Sequence, residues 1–103
     1  MGDARSPLEW EIFAEQAHAL SRTTERLEES LSRLRQTDQS TAGVVDEAAR
    51  ETILDEAGTR LWQLIVQREA MGITHHDILY EVLRVPPEVR RRASYRTAAR
   101  LRP

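Results

Sequence analysis

From Leu61 to Gly72 the chain reads Leu-Trp-Gln-Leu-Ile-Val-Gln-Arg-Glu-Ala-Met-Gly, its most apolar dozen residues. Coiled as a helix, Leu61, Trp62, Leu64, Ile65, Val66 and Met71 cover roughly 220° of the circumference, and Gln63 and Gln67 share the narrow remainder. One partner helix cannot cover so wide an arc, so the rest of the chain, or a second copy of it, must approach from two sides. Two charges fall within the arc: Arg68 in line with Leu61, Leu64 and Met71, and Glu69 beside Trp62 and Ile65. A buried charge without a partner is strongly unfavourable, so each must find a counter-charge or reach the rim. They are either ion pairs that fix helix register or the lining of a charged ligand pocket, and the desolvation argument favours ion pairs. Trp62, Ile65, Arg68 and Glu69 are therefore candidate interaction residues.

A long helix is expected ahead of this stretch, from Pro7 to about residue 36. Ser6-Pro7-Leu8-Glu9 has the form of a helix start, with Ser6 as N-cap, Pro7 in the first turn and Glu9 in the capping-box position. Trp10, Phe13, Ala17, Leu20, Thr24, Leu27, Leu31 and Leu34 recur at alternating steps of three and four, the seam of a coiled-coil or bundle helix, and Ile12 widens it near the start. Glu11, Glu15, His18, Arg22, Glu25, Glu29 and Arg33 lie on the opposite, solvated side. Gln16 sits within the apolar stripe, where an amide needs a partner, and a register-setting contact is its expected role.

The polar run Thr37–Gly43 is short enough to make its flanking helices antiparallel neighbours. The second helix is expected over about 44–71, with Asp46 and Glu47 favourably placed at its N-terminal dipole. Gly58 within it would permit a close helix approach. In the antiparallel register that this loop implies, Gln16 comes level with Leu64 to Arg68, and a contact from Gln16 or Glu15 would satisfy Arg68. Gly72 and Ile73 suit a Schellman ending. Thr74 and Asp77 suit a capping box opening a short helix over about 75–84, whose Ile78, Leu79, Val82 and Leu83 would cover Trp62 and Ile65. Pro86-Pro87 then starts a last short helix over about 87–95. The fold class is all-α: a long antiparallel helical hairpin plus one or two short C-terminal helices in a single domain, pairing as a dimeric four-helix bundle.

The residues give little sign of catalysis. There is no cysteine, glycine-rich phosphate loop or nucleophile motif, and no catalytic residue or cofactor is expected. His75-His76-Asp77 invites a metal reading, but adjacent histidines at a helix start diverge and no His-x-x-x-His accompanies them, so no metal is expected. No apolar run reaches the length of a membrane span and no signal-peptide pattern is present, so the expected location is the cytoplasm. Met1-Gly2 with Ser6 matches the myristoylation pattern, but the N-cap explains Ser6 better.

Charge is distributed unevenly. Val89–Pro103 holds Arg90, Arg91, Arg92, Arg96, Arg100 and Arg102 with no acid, while the first 88 residues hold nine arginines against seventeen acids. Such a basic tail over 89–103 can lie on an acidic body, its own or that of a second copy, contact nucleic acid phosphates, or serve as a disordered solubilising end. The acidic body favours the first. A helix-turn-helix over Gln67–Val85 has the right outline but the wrong spacing of Ala70 and Gly72, and it would aim Asp77 and Glu81 at phosphates.

Leu61-Trp62 followed by Ile65-Val66-Gln67-Arg68-Glu69-Ala70-x-Gly72, behind a long capped helix and ahead of the Val85-Pro86 turn, resembles a family of roughly hundred-residue bacterial proteins of unknown function. The resemblance implies an all-helical domain and transfers no activity. The expected function is that of a non-enzymatic interaction or scaffold protein, forming a homodimer or binding another protein. The alternative is a nucleic-acid-associated regulator using the arginine-rich tail.

Overall fold

Ser6 and Pro7 open the first helix as their chemistry dictates: the Ser6 hydroxyl accepts a hydrogen bond from the Glu9 amide, and α1 (Pro7–Asp38) runs unbroken from there. The computed structural model describes residues 6–39 and 46–101, with side chains described as far as Arg96, and these residues are helical with no strand. Asp46 caps the second helix, accepting from the Ala49 amide, and α2 spans Glu47–Ala70. Two further helices follow, α3 (Asp77–Leu83) and α4 (Pro87–Leu101). The expected linker residues 40–43 and the expected start of the second helix at Val44 lie outside the described residues, as do Met1 and Gly2.

α2 is the central element, packed against both α1 and α4. Its ion pairs show the two sides. Glu56 and Arg60 reach α1 through Arg33, Ser30 and the Arg26 carbonyl, while Glu51 and Asp55, on a different face, hold Arg92 of α4. Between them lies the core: Leu27, Leu31 and Leu34 from α1, Ile53, Leu54, Ala57, Leu61 and Leu64 from α2, then Leu79, Val85, Val89 and Ala93. Burying each leucine contributes about 1.5–3 kcal/mol, and this stripe carries most of the fold's stability. The wide apolar arc is thus met from two sides, with Leu61 and Leu64 fully buried and Trp62 and Ile65 partly buried against the same core.

Gly58 is where α2 and α4 come closest. A Cβ placed there would stand 2.6 Å from the Cβ of Arg92, so only glycine permits this crossing. Gly72 ends α2 at φ 86, and the Ile73 and Gly72 amides donate to the Arg68 and Glu69 carbonyls, the Schellman pattern expected from the sequence.

The C-terminal third differs from expectation in three ways. Thr74 does not cap α3; the N-cap is His76, with no side-chain capping bond, because its ring is turned back onto Arg68. Ile78 and Val82 are 74% and 72% exposed and cover nothing, while Leu79 and Leu83 make the contact with the core. A seven-residue helix presents one narrow face, too little to bury all four. Finally, α4 starts at Pro87 as expected but runs past residue 95 to Leu101, packing along α2 through Val89 and Ala93, so the last helix is longer than the short one expected and takes in most of the basic segment. Arginine is a good helix former, and valine and alanine spaced four apart supply the buried stripe.

α3 ends without glycine. Arg84 takes the left-handed conformation, φ 52 and ψ 52, and the Val85 and Arg84 amides donate to the Tyr80 and Glu81 carbonyls. Arg35 of α1 donates to the Leu83 carbonyl at 2.9 Å, tying this turn to the end of α1. The molecule is long and flat, 60 × 34 × 20 Å, with a radius of gyration of 16.7 Å.

Candidate interaction surface

α1 outlasts the helix that covers it. Contacts between α1 and α2 run in opposite chain directions: Asp38 with Arg50 at 2.8 Å, Arg33 with Glu56 at 2.9 Å, Ser30 with Arg60 at 2.9 Å. Continued at the same rise, this register brings Ala70, the last residue of α2, level with about residue 19 of α1. Residues 7–18 therefore project about 18 Å beyond α2. At the step lies an open groove lined by Glu9, Ile12, Phe13, Gln16, Ala70 and Met71.

The projecting part repeats the face that α2 covers. Eighteen residues are five full turns of an α-helix, so Glu9, Ile12, Phe13 and Gln16 lie on the same line as Leu27, Ser30, Leu31 and Leu34. The second quartet is buried, at 0%, 0%, 1% and 2% exposure. The first is exposed, with Ile12 at 47% and Phe13 at 38%, and Trp10 and Leu8 beside them at 47% and 64%. Trp10 and Phe13 meet edge to face, ring centroids 6.2 Å apart, a favoured aromatic geometry. Glu9 and Gln16 lie on the midline and Ile12 and Phe13 on either side of it. An apolar stripe at helical spacing is most often core, and here the core-type stripe runs past the core.

Gln16 therefore sits on the expected stripe but away from Arg68. Arg68 is instead satisfied by the turn after its own helix, donating from Nε to His76 Nδ1 at 3.2 Å and from a terminal nitrogen to the His75 carbonyl at 3.1 Å. The expected contact from Gln16 or Glu15 is not made because the register brings Arg68 level with about residue 21, more than a turn from Gln16. Since His76 Nδ1 accepts from Arg68, the neutral ring carries its proton on Nε2, which faces Glu69 at 3.9 Å. His76 Nε2 and Gln67 Oε1 are buried without a hydrogen-bond partner among the described residues. Glu69 is exposed, outside the covered arc.

Of the arginines in α4, Arg92 is held by Glu51 and Asp55, and those two hydrogen bonds raise its pKa above the usual arginine value. Arg90 stands over the Tyr80 ring at 5.4 Å. Burial raises the pKa of the Tyr80 phenol, an effect that the Arg90 charge partly offsets. Arg91 and Arg96 are exposed, and the Arg100 side chain lies outside the described residues. At the other end of the helix, Glu88 joins Asp38 on Arg50, whose hydrogen bonds to Asp38 and then Glu88 raise its pKa. Sequence reasoning missed Arg50, although its place in the first turn of a helix beside two acidic helix ends was the available signal.

Among the described residues no group of three or more histidines, cysteines or carboxylates is placed to hold a metal, and no helix is long and apolar enough to cross a membrane. The class is thus an all-helical protein, with an exposed stripe on α1 that runs beyond its own core. The chain belongs to a family of unknown function, DUF6665, whose model matches residues 2–98. No curated protein and no solved structure matches it.

Proposed function

We propose that the protein is a non-enzymatic helical interaction module that self-associates, two α1–α2 hairpins meeting through the projecting ends of α1. The observation that carries this reading is the exposed quartet Glu9, Ile12, Phe13 and Gln16, placed like the quartet that binds α2 and flanked by Leu8 and Trp10. Contiguous exposed apolar surface of this kind marks association sites, and a second helix is the shape it fits. The test is mass by light scattering across a concentration series. The wild-type chain is expected at twice its 11.9 kDa and Ile12→Glu at 11.9 kDa, with helicity unchanged by circular dichroism. A wild-type mass of 11.9 kDa at every concentration would overturn the reading.

Arg91 and Arg96, exposed on α4, are the ground for the second reading, a nucleic-acid-associated regulator. The pairing of Arg92 within the chain counts against it, because it removes the most central of these charges from any phosphate. Duplex DNA or RNA binding that falls steeply with salt and is lost in Arg91→Ala/Arg96→Ala would favour that role.

A further inference from the structure

Resting on the self-association reading, we infer that the second copy lies antiparallel to α1, with a twofold axis passing between Ile12 and Phe13. Three observations converge on that placement. First, the exposed quartet stands in the same positions as Leu27, Ser30, Leu31 and Leu34, which receive α2 running antiparallel; the same face takes a helix of the same direction.

Second, the quartet is self-complementary. Glu9 and Gln16 are equally far from the midpoint between Ile12 and Phe13. An antiparallel copy centred there sets each Glu9 carboxylate against the carboxamide of the partner's Gln16, which donates to it, and it does so twice by symmetry. Both polar groups on the midline are then satisfied, and Ile12 and Phe13 meet their counterparts at the axis. A parallel copy would instead set carboxylate against carboxylate.

Third, the lengths agree. With the axis between Ile12 and Phe13, the partner's Pro7 comes level with residue 18, just short of residue 19 where the register places Ala70. The partner's α1 therefore lies along the line that α2 vacates, at the groove of Glu9, Ile12, Phe13, Gln16, Ala70 and Met71.

The chain has no cysteine, so single cysteines report pairing directly. Glu9→Cys and Gln16→Cys chains are mixed under mild oxidation, each alone serving as control, and the masses of the wild type and both reduced variants are measured in parallel. The mixture is expected to give a disulfide-linked 9-to-16 pair, and each variant alone to remain unlinked. As a second readout, Gln16→Glu weakens dimerisation about tenfold or more by facing like charges across the axis, and Glu9→Gln/Gln16→Glu restores it. Self-linking of Glu9→Cys alone would overturn the antiparallel placement, as would a dimeric wild type whose mixture does not link. A wild type that is monomeric at every concentration would instead sink the underlying self-association reading, and this placement with it.

Discussion

Gly58→Ala tests the packing of α4 on α2. In a solvent-facing helix interior this substitution would stabilise by about 1 kcal/mol, because alanine has the higher helix propensity. Here the new methyl would lie 2.6 Å from the Arg92 Cβ, with the Ala93 amide nitrogen at 3.6 Å. A comfortable carbon–carbon separation is about 3.5–4.0 Å, so α4 must retreat by roughly 1 Å. The Arg92 Cβ is fixed to the backbone and cannot swing aside as a side-chain tip can. Retreat loosens Val89 and Ala93, at 0% and 3% exposure, and lengthens the bonds from Arg92 to Glu51 and Asp55. Overpacking of this kind costs about 1–3 kcal/mol, which outweighs the propensity gain. Set against the propensity gain of about 1 kcal/mol, the expected net result is a loss of up to about 2 kcal/mol, read as a lower urea midpoint and a melting temperature lower by roughly 4–8 °C per kcal/mol. An increase in stability by about 1 kcal/mol, the behaviour of a solvent-facing glycine, would refute the close approach and the docking of α4 with it.

Three other substitutions probe the joints between helices. Arg84→Gly relieves a left-handed residue that carries a Cβ and is expected to stabilise by up to about 1 kcal/mol in urea unfolding, since the turn already has its two backbone hydrogen bonds. Arg50→Met removes the bridge from Asp38 to Glu88; both carboxylates are nearly half exposed and rehydrate, so the loss is about 1 kcal/mol and shrinks toward zero in about 1 M salt. Burial raises the Tyr80 pKa above its ordinary 10.0, so the folded state favours the neutral phenol. That contribution is whole below pH 10.0 and fades as pH rises toward and through the raised value, and unfolding of Tyr80→Phe between pH 9 and 11 should lack this alkaline loss.

What was legible in the sequence was local. Ser6 and the Gly72-Ile73 pair act through their own neighbours in the chain, and the helix ends they imply are present; Asp46, expected within the first turn of the second helix, is instead its N-cap. Long-range choices were not legible. Thr74 and His76 stand two residues apart at the start of α3, and the position of the cap is decided by Arg68, whose guanidinium draws the His76 ring and the His75 carbonyl. Arg84 supplies a turn that sequence habits assign to glycine, held by Val85 burying itself just beyond it. The start of α4 was legible in Pro87, but its length and its docking on α2 were not: the run of arginines is the louder signal, while Val89 and Ala93, four residues apart, are the quieter and decisive one. The candidate surface was half visible: periodicity placed Gln16 among apolar residues, but only the point at which α2 stops shows that this part of the stripe faces outward.

The length of the molecule also sets how it moves through water. A compact chain of this size has a radius of gyration of about 13 Å, against 16.7 Å here. A slab 60 Å long and 20 Å thick meets more friction than a sphere of equal mass. Even a single copy should therefore elute early from a gel-filtration column and tumble slowly in fluorescence anisotropy. Two copies overlapping through the projecting ends of α1 would be longer still, so association should raise the frictional ratio as well as the mass. A change in diffusion alone, without a matching change in scattered intensity, would reflect shape.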